Sequence, residues 1–369
     1  MSQDSYWIAS RSSRLRGLIP ILAALLACAG CALVGPASIS NGRGVYNDVI
    51  NNTEDEQLLK VIVLERYGQT FAMLTVTSVT ASIKVTANAS AQFGVGSNQA
   101  YAGNLVPLGT GFAYEESPTI SYVPLSGEAF LSRMLTPITT EQAVLLLGAA
   151  DDDGGTWMRQ LFRRVNGMEN PIHRAPSPNL QRFFALNTKL RRAGLLVVGP
   201  VASSGAMEPE YYVRISGYRE AHLEEVREML DVLGLKDVKA DGSDIVLPIF
   251  ITSGNEHPNA ISLQLRSALD VIRAAGRAIQ VPPEQLNSGI APPLESANAG
   301  EDQFMIIRTS KTTPENAVVA VPFRGWWYYI DATDTRSKRA FKVLRLMVGL
   351  RLQEKGLDRV GPVLTIPAR

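Results

Sequence analysis

The sequence predicts an α+β protein: a buried N-terminal helix with a long amphipathic β-hairpin, followed by helix-covered, mostly antiparallel sheet modules. Three observations carry this expectation. Leu58, Leu59, Val61, Ile62, Val63 and Leu64 are apolar nearly all round a helical wheel, as in a helix enclosed by other elements. Val79 to Val95 alternates strictly between apolar odd and polar even positions, the period of a β-strand. From Pro178 onward, short apolar runs are interleaved with helical stretches. A chain of 369 residues is long enough for about two or three domains. The expected division is 1–30 leader, 31–44 tether, 45–138 helix and hairpin, 139–258 helical connector with an α+β module, and 259–369 a C-terminal α+β module.

The first segment is an address. Arg11, Arg14 and Arg16 precede the apolar stretch Leu18 to Ala27, and Cys28-Ala29-Gly30-Cys31 follows. Basic, apolar and small residues in that order form a secretory leader. A Cys directly after Ala-Gly resembles the lipobox of bacterial lipoproteins, which implies Cys31 as the first mature residue. Its thiol would carry a covalent diacylglycerol and N-acyl lipid, and no other cofactor is expected. Leu25-Leu26-Ala27-Cys28 offers the alternative anchor Cys28, with the Leu that a lipobox usually has three residues earlier. An uncleaved anchor is the third arrangement, since Gly17 to Gly35 approaches the length of a bilayer span. All three leave the arginines cytoplasmic and the body beyond the membrane. Ala32 and Leu33 lack the Asp that commonly retains lipoproteins at the inner membrane. A lipid anchor on the periplasmic face of the outer membrane is therefore expected, with an inner-membrane signal anchor and periplasmic body as the alternative.

Charge and cysteine content exclude several function classes. Lys and Arg number 36 against 35 Asp and Glu, a balance without the basic footprint of a nucleic-acid binder. Both cysteines lie in the leader or at its end, Cys31 being the expected lipid anchor, so the rest of the body has no disulfide, thiol nucleophile or thiolate-ligated metal. His173, His222 and His257 show no H-E-x-x-H spacing, and no nucleophile elbow, P-loop or dinucleotide fingerprint is present. Asp151-Asp152-Asp153 before Gly154-Gly155 lacks EF-hand spacing and reads as a loop between helices, so no metal site is expected. A convergent carboxylate pair stays open as a hydrolase alternative.

Along the body, Ala32 to Gly42 is a short tether. Thr53-Glu54-Asp55-Glu56 has the pattern of a capping box, and Gly68 closes the helix that follows. Val79 to Val95, a turn at Gly96 to Gly103 and a return strand through Phe112 and Tyr114 form the hairpin, weakened at Pro107. Its candidate membrane or partner residues are Val79, Ala81, Ile83, Val85, Phe93, Phe112 and Tyr114. They either pack on a globular core or line one face of a membrane hairpin. A single hairpin cannot close a barrel, so the membrane reading requires a ring of subunits, as in some lipid-anchored secretion pores. A strand from Pro118 then leads into a helix capped by Ser126. Helices are expected at Thr140 to Gly148, Thr156 to Val165, Leu180 to Ala193, Glu220 to Leu233 and Ile261 to Ile279. Strands are expected at Leu195 to Val201, Tyr211 to Ser216, Val238, Asp244 to Ile251, Phe304 to Arg308, Ala317 to Val321 and Trp326 to Ile330, with a loop from Val281 to Asp302. In Trp326-Trp327-Tyr328-Tyr329 neighbours point to opposite faces. Trp326 and Tyr328 are candidate contacts for glycan stacking, with sheet packing as the plain alternative. Asp334 N-caps the last helix, where Lys338, Lys342 and Arg345 form either a solvated stripe or an anionic-headgroup contact.

Four strings carry a resemblance: NNTEDEQLLKVIVLERY, PTISYVPLSGEAFLSRMLTPI, GWWYYIDATDTRSKRAFKVLRLMVGL and GPVLTIPAR. They resemble a family of uncharacterised bacterial envelope lipoproteins. Its members carry an E-Q-L-L helix leading to R-Y, a P-T-I-x-Y-x-P-L strand, a Y-I-D-x-x-D-x-x-S-K helix start and a C-terminal P-V-L-T-[LI]-P. The family more often has Asn where Lys60 stands, so no role for that side chain carries over. The resemblance implies an envelope address without an assigned activity. The expected role is structural, scaffolding or assembly, with an oligomeric pore or secretion component as its sharpest form. Expected partners are membrane lipid through the anchor, and further copies or other envelope proteins. A glycan- or peptidoglycan-binding module and an envelope hydrolase are the alternatives.

The address is directly testable through thiol chemistry. Cys31→Ser should abolish palmitate labelling and leave an unprocessed precursor, while Cys28→Ser is processed normally. Labelling that survives the first substitution and vanishes with the second assigns the lipid to Cys28.

Overall fold

The computed structural model describes residue 44, residues 46–352 apart from 92–107, 126, 149–154, 201–210, 253–256 and 295–302, and residues 364–367. The side chains of 77, 79–119, 129 and 364–367 are outside that description. The chain divides into two units, Met1–Asp55 and Glu56–Arg369. In the first, residues 46–55 are helical, and Thr53 donates its hydroxyl to the Ile50 carbonyl at 2.9 Å. Thr53 is therefore inside a helix and does not cap one. The local pattern T-E-D-E fits a helix start, but the helix extends back through Tyr46 to Asn52 despite the modest helix propensity of Asn, Asp and Val there.

The helix, α1, spans 46–66, and its residues 56–66 belong to the second unit. There Leu58, Leu59, Val61, Ile62 and Val63 are fully enclosed, as their all-round apolarity requires. Gly68 ends the helix with φ +65°. Its amide donates to the Glu65 carbonyl and that of Gln69 to Leu64, the two bonds of a glycine C-cap.

Three sheets follow. The hairpin strands β1 (Met73–Ala91) and β2 (Leu108–Leu125) pair antiparallel, and the C-terminal strand Leu364–Pro367 adds to the outer edge of β2. A six-stranded sheet has the order β4-β3-β8-β7-β6-β5, built from β3 (Phe162–Val165), β4 (Met168–Glu169), β5 (Leu196–Pro200), β6 (Tyr211–Ile215), β7 (Ile245–Ile251) and β8 (Ile261–Leu265). All its neighbours are antiparallel except β7 and β8. Helices α5 (Pro178–Arg192) and α6 (Glu220–Val232) pack together, and buried Leu180, Phe183 and Val226 join Leu196, Val213 and Ile249 in one core. A third sheet has the order β10-β11-β9, with β9 (Arg308–Ser310), β10 (Ala317–Phe323) and β11 (Trp326–Asp331). Around the core lie α2 (Gly127–Leu135), α3 (Thr140–Gly148), α4 (Gly155–Leu161), α7 (Ala268–Arg277), α8 (Pro283–Asn287) and α9 (Thr335–Leu352). The C-terminal strand is β12. The protein is thus α+β with mostly antiparallel sheets.

Several expectations need correction. Ile261 to Leu265 is the buried strand β8, and the helix begins only after Ser267, whose hydroxyl and Asp270 form a reciprocal capping box. Ile-Ser-Leu-Gln-Leu alternates apolar and polar residues as a strand does, over too few positions to stand apart from the helical pattern that follows it. Phe162–Val165 is likewise strand β3 and not the end of a helix. No strand forms at Val238, the strand near Phe304 starts at Arg308, and the loop after Val281 contains α8. Pairing of β7 with β8 carries one sheet across the expected boundary at 258, and β12 joins the C-terminus to the hairpin. Residues 56–369 therefore form one unit where three modules were expected.

Candidate functional site

The hairpin is the element with the most distinctive sequence pattern, and its register decides what that pattern can do. Val79, Ala81, Ile83 and Val85 of β1 stand opposite Ile120, Pro118, Glu116 and Tyr114 of β2, while Ala87 stands opposite Phe112. Lys84 is paired with Glu115 on the polar side. A bulge between Val76 and Ser78 inserts one residue, so the parity of the apolar face changes there. Below the bulge, Leu74 and Val76 oppose Pro124 and Tyr122 and continue the register face of Val79 and Ile83. Met73 and Thr75 oppose Leu125 and Val123 and continue the face of Ser78 and Thr80.

Burial at the base separates the two faces. Met73 and Leu125 are in the core at 4% and 8% exposure, whereas Leu74 is 41% exposed. The register face carrying Val79, Ala81, Ile83 and Val85 is therefore continuous with the exposed side of the base. The polar face begins at the core residues Met73 and Leu125 and passes through half-buried Thr75 to exposed Ser78. Among the described residues, only β12 pairs with this ribbon, and it covers β2 from Thr119 to Tyr122 alone.

The base of the ribbon is held from α1. Gln57 donates its side-chain amide to the Leu74 carbonyl at 2.9 Å and accepts from the Leu74 amide at 2.6 Å, occupying the strand edge as a further strand would. At the other end of the helix, Tyr67 donates to the Gln285 side-chain carbonyl. The Tyr67 and Tyr328 hydroxyls lie 2.5 Å apart, and Tyr328 donates to the same Gln285 oxygen at 3.1 Å. These three residues come from the end of α1, from α8 and from β11, and all are buried. Burial raises both phenols above their ordinary range, and for Tyr328 the bond to Tyr67 raises it further. Phe323 closes the cluster, its ring centroid 5.0 Å from that of Tyr67. Lys60 donates to the Pro322 carbonyl at 2.8 Å and lies 4.5 Å from the Phe323 ring centroid.

The strings quoted for the family resemblance meet in space. Ile120 to Tyr122 of PTISYVPL pair with Leu364 to Ile366 of PVLTIP. Gln57, Arg66 and Tyr67 of the first string reach β1, the Pro292 carbonyl and Tyr328. In Y-I-D-x-x-D-x-x-S-K, Asp331 accepts from the Thr333 amide and hydroxyl, and Asp334 accepts from the Ser337 amide and hydroxyl. Ser337 in turn accepts from the Ile306 amide at 2.8 Å, and Lys338 donates to the Ala332 carbonyl at 2.9 Å. That string is a turn and an N-cap with a structural explanation for each polar residue.

The proposed surface contacts are divided by the structure. Tyr328 is fully buried and cannot serve as a surface contact, because β11 turns Tyr328 and Ile330 into the core. Trp326 is half-buried with the Lys311 ammonium 4.1 Å from its ring centroid. Lys338 and Arg345 are half-buried, Lys342 is exposed, and burial lowers the Arg345 guanidinium from its ordinary value. Cys28, Cys31, Phe93, Ser126 and Asp151 to Asp153 lie outside the described residues, as do the side chains of Val79, Ala81, Ile83, Val85, Phe112 and Tyr114. His222 is 3.7 Å from Glu225, and His257 stacks on Phe250 at 4.1 Å. Among the described residues, an apolar cavity of about 280 Å³ between α3, α5 and the six-stranded sheet is lined by no carboxylate or imidazole. Among the described residues no helix is long and apolar enough to cross a membrane. No family model, curated protein or solved structure matches the chain.

Two consequences of the buried Tyr67–Gln285–Tyr328 cluster can be measured. Tyr328→Phe leaves the cluster one hydroxyl short and should destabilise the fold by about 1–3 kcal/mol in denaturant titration. Both phenols are raised above their ordinary value of 10.0 in the folded chain. Their contribution is fully present below about pH 10; above it the unfolded chain releases protons that the folded chain keeps, so stability falls. The denaturation midpoint should therefore drop more steeply above about pH 10 in the natural protein than in Tyr328→Phe. Equal slopes would remove the phenols from the stability of the junction.

Proposed function

We propose that this is a lipid-anchored outer-envelope protein whose β1–β2 hairpin joins those of other copies, in a structural or assembly role with an oligomeric outer-membrane pore or secretion element as its working form. The observation that carries the proposal is the register. The apolar positions 79, 81, 83 and 85 share the register face that carries exposed Leu74 at the base of the ribbon, whereas Met73 and Leu125, the base residues in the core, are on the opposite face. A core hairpin would have its apolar face continuous with Met73 and Leu125. Lipid or a neighbouring subunit is then the natural cover for a stripe on the other side.

Length and edges agree with this. Strands β1 and β2 have 19 and 18 residues, and a membrane-crossing strand needs only about 9–11. A two-stranded ribbon is marginal in isolation and leaves rows of unpaired backbone groups. Pairing β1 of one copy with β2 of the next satisfies them and closes the ring, as hydrocarbon demands. The leader and Cys31 deliver the body to the membrane that the ribbon would enter. A glycan-stacking role is less well supported, since burial of Tyr328 removes half of the aromatic pair it requires.

Deletion of Thr80 to Phe112, replaced by a short Gly-Ser bridge in the full-length protein, tests the proposal. In detergent the variant should unfold cooperatively and have a smaller molar mass than the intact protein. A variant that is unfolded or aggregated would return the hairpin to the globular core, and one of unchanged molar mass would remove it from assembly.

A further inference from the structure

Beside the six-stranded sheet, away from the hairpin, is a polar cavity of about 450 Å³. Arg163, Arg164, Arg174 and Arg266 line it together with His173 and Asn170. The one carboxylate in the lining is Glu169, which is engaged by Arg164 at 2.7 Å. Four guanidiniums thus share a space with a single negative charge, although the whole chain is nearly neutral. Burial lowers Arg266 to about 10, with Asp270 opposing that shift and Arg163 and Arg159 adding to it. Burial lowers His173 as well, reinforced by Arg277, Arg174 and Arg266. The local field is therefore strongly positive.

Two of the lining side chains have unmet hydrogen-bonding capacity of opposite kinds. Arg266 is 7% exposed; it donates one Nη2 bond to the Asn170 carbonyl, while its Nε–H has no partner. Asn170 is 1% exposed, and its amide nitrogen is committed to the carbonyls of Met158, Arg159 and Phe162 at 3.1, 3.3 and 2.7 Å. Those three acceptors fix the orientation of the amide, so its unpartnered Oδ1 is an acceptor in need of a donor. A buried donor and a buried acceptor left unmet are each costly, and native folds seldom keep both in one place without a ligand or water.

We propose that this cavity binds a phosphate monoester or inorganic phosphate, with guanidiniums holding the charged oxygens and Asn170 Oδ1 accepting from the protonated one. Guanidinium forks match phosphate oxygens two at a time. Near neutral pH phosphate retains a hydroxyl through its second ionisation near pH 6 to 7, while sulfate has only acceptors. Asn170 is the group that tells the two anions apart. Arg163 and Arg174 line the cavity and are exposed, so they can be removed without opening the core. The site is separate from the hairpin, so it stands or falls independently of the assembly role.

Titration calorimetry on the full-length protein in detergent, at about pH 6, decides the matter with three probes: inorganic phosphate, sulfate and short-chain phosphatidic acid. Phosphate should bind roughly tenfold or more tightly than sulfate, and the double substitution Arg163→Ala with Arg174→Ala should weaken it by at least about tenfold at unchanged thermal unfolding. Phosphatidic acid binding more tightly than phosphate assigns the site to a lipid headgroup, and weaker or equal binding assigns it to a soluble phosphate monoester. Equal affinity for phosphate and sulfate, no phosphate binding, or binding indifferent to the arginine substitutions would overturn the proposal.

Discussion

Burying two phenols and a carboxamide together is the constraint on which this architecture depends. Tyr67, Gln285 and Tyr328 can leave water only if each finds its partner in the other two, because an unmatched polar group in the core costs about 1–3 kcal/mol. The end of α1, the short helix α8 and strand β11 are thereby held in one arrangement. From the same helix, Gln57 bonds both backbone groups of Leu74 and sets where β1 begins. The helix buried by its leucines is thus also the part that fixes the base of the ribbon.

That base gives the hairpin its meaning. A bulge of one residue decides whether a stripe of valines, isoleucine and alanines faces the core or faces away, since the side-chain period of a strand is two. Here the register sets them on the face of Leu74, opposite that of Met73 and Leu125. The proposed assembly role follows from this parity more than from hydrophobicity, which a globular hairpin would share. The arginine-lined cavity is a separate feature with its own chemistry, and a near-neutral composition conceals it because acids such as Glu224, Glu225 and Glu228 lie elsewhere, on α6.

What could be read from the residues alone followed how local its cause was. Gly68, Asp334 and helix Thr140–Gly148 were legible because a cap or a helical period is written within a few positions. Alternation revealed the hairpin but started it at Val79, since the bulge breaks the pattern there and hides the strand from Met73 onward. Ile261–Leu265 reads as the start of a helix although Ile-Ser-Leu-Gln-Leu alternates apolar and polar residues, because five positions run directly into the helical pattern from Ala268; pairing with β7 makes them a strand. Gln285 had no signal within a Pro- and Asn-rich stretch; its partners are 218 and 43 residues away in sequence. Arg266 meets Asn170 across 96 residues, which is equally invisible to a local pattern.

The most direct measurement is the image of the detergent-extracted particle. If hairpins of several copies close on one another, electron microscopy of the full-length protein should show rings with rotational symmetry and a narrow stem on one side. Single particles of one chain, without symmetry at any protein concentration that the detergent permits, would contradict the account.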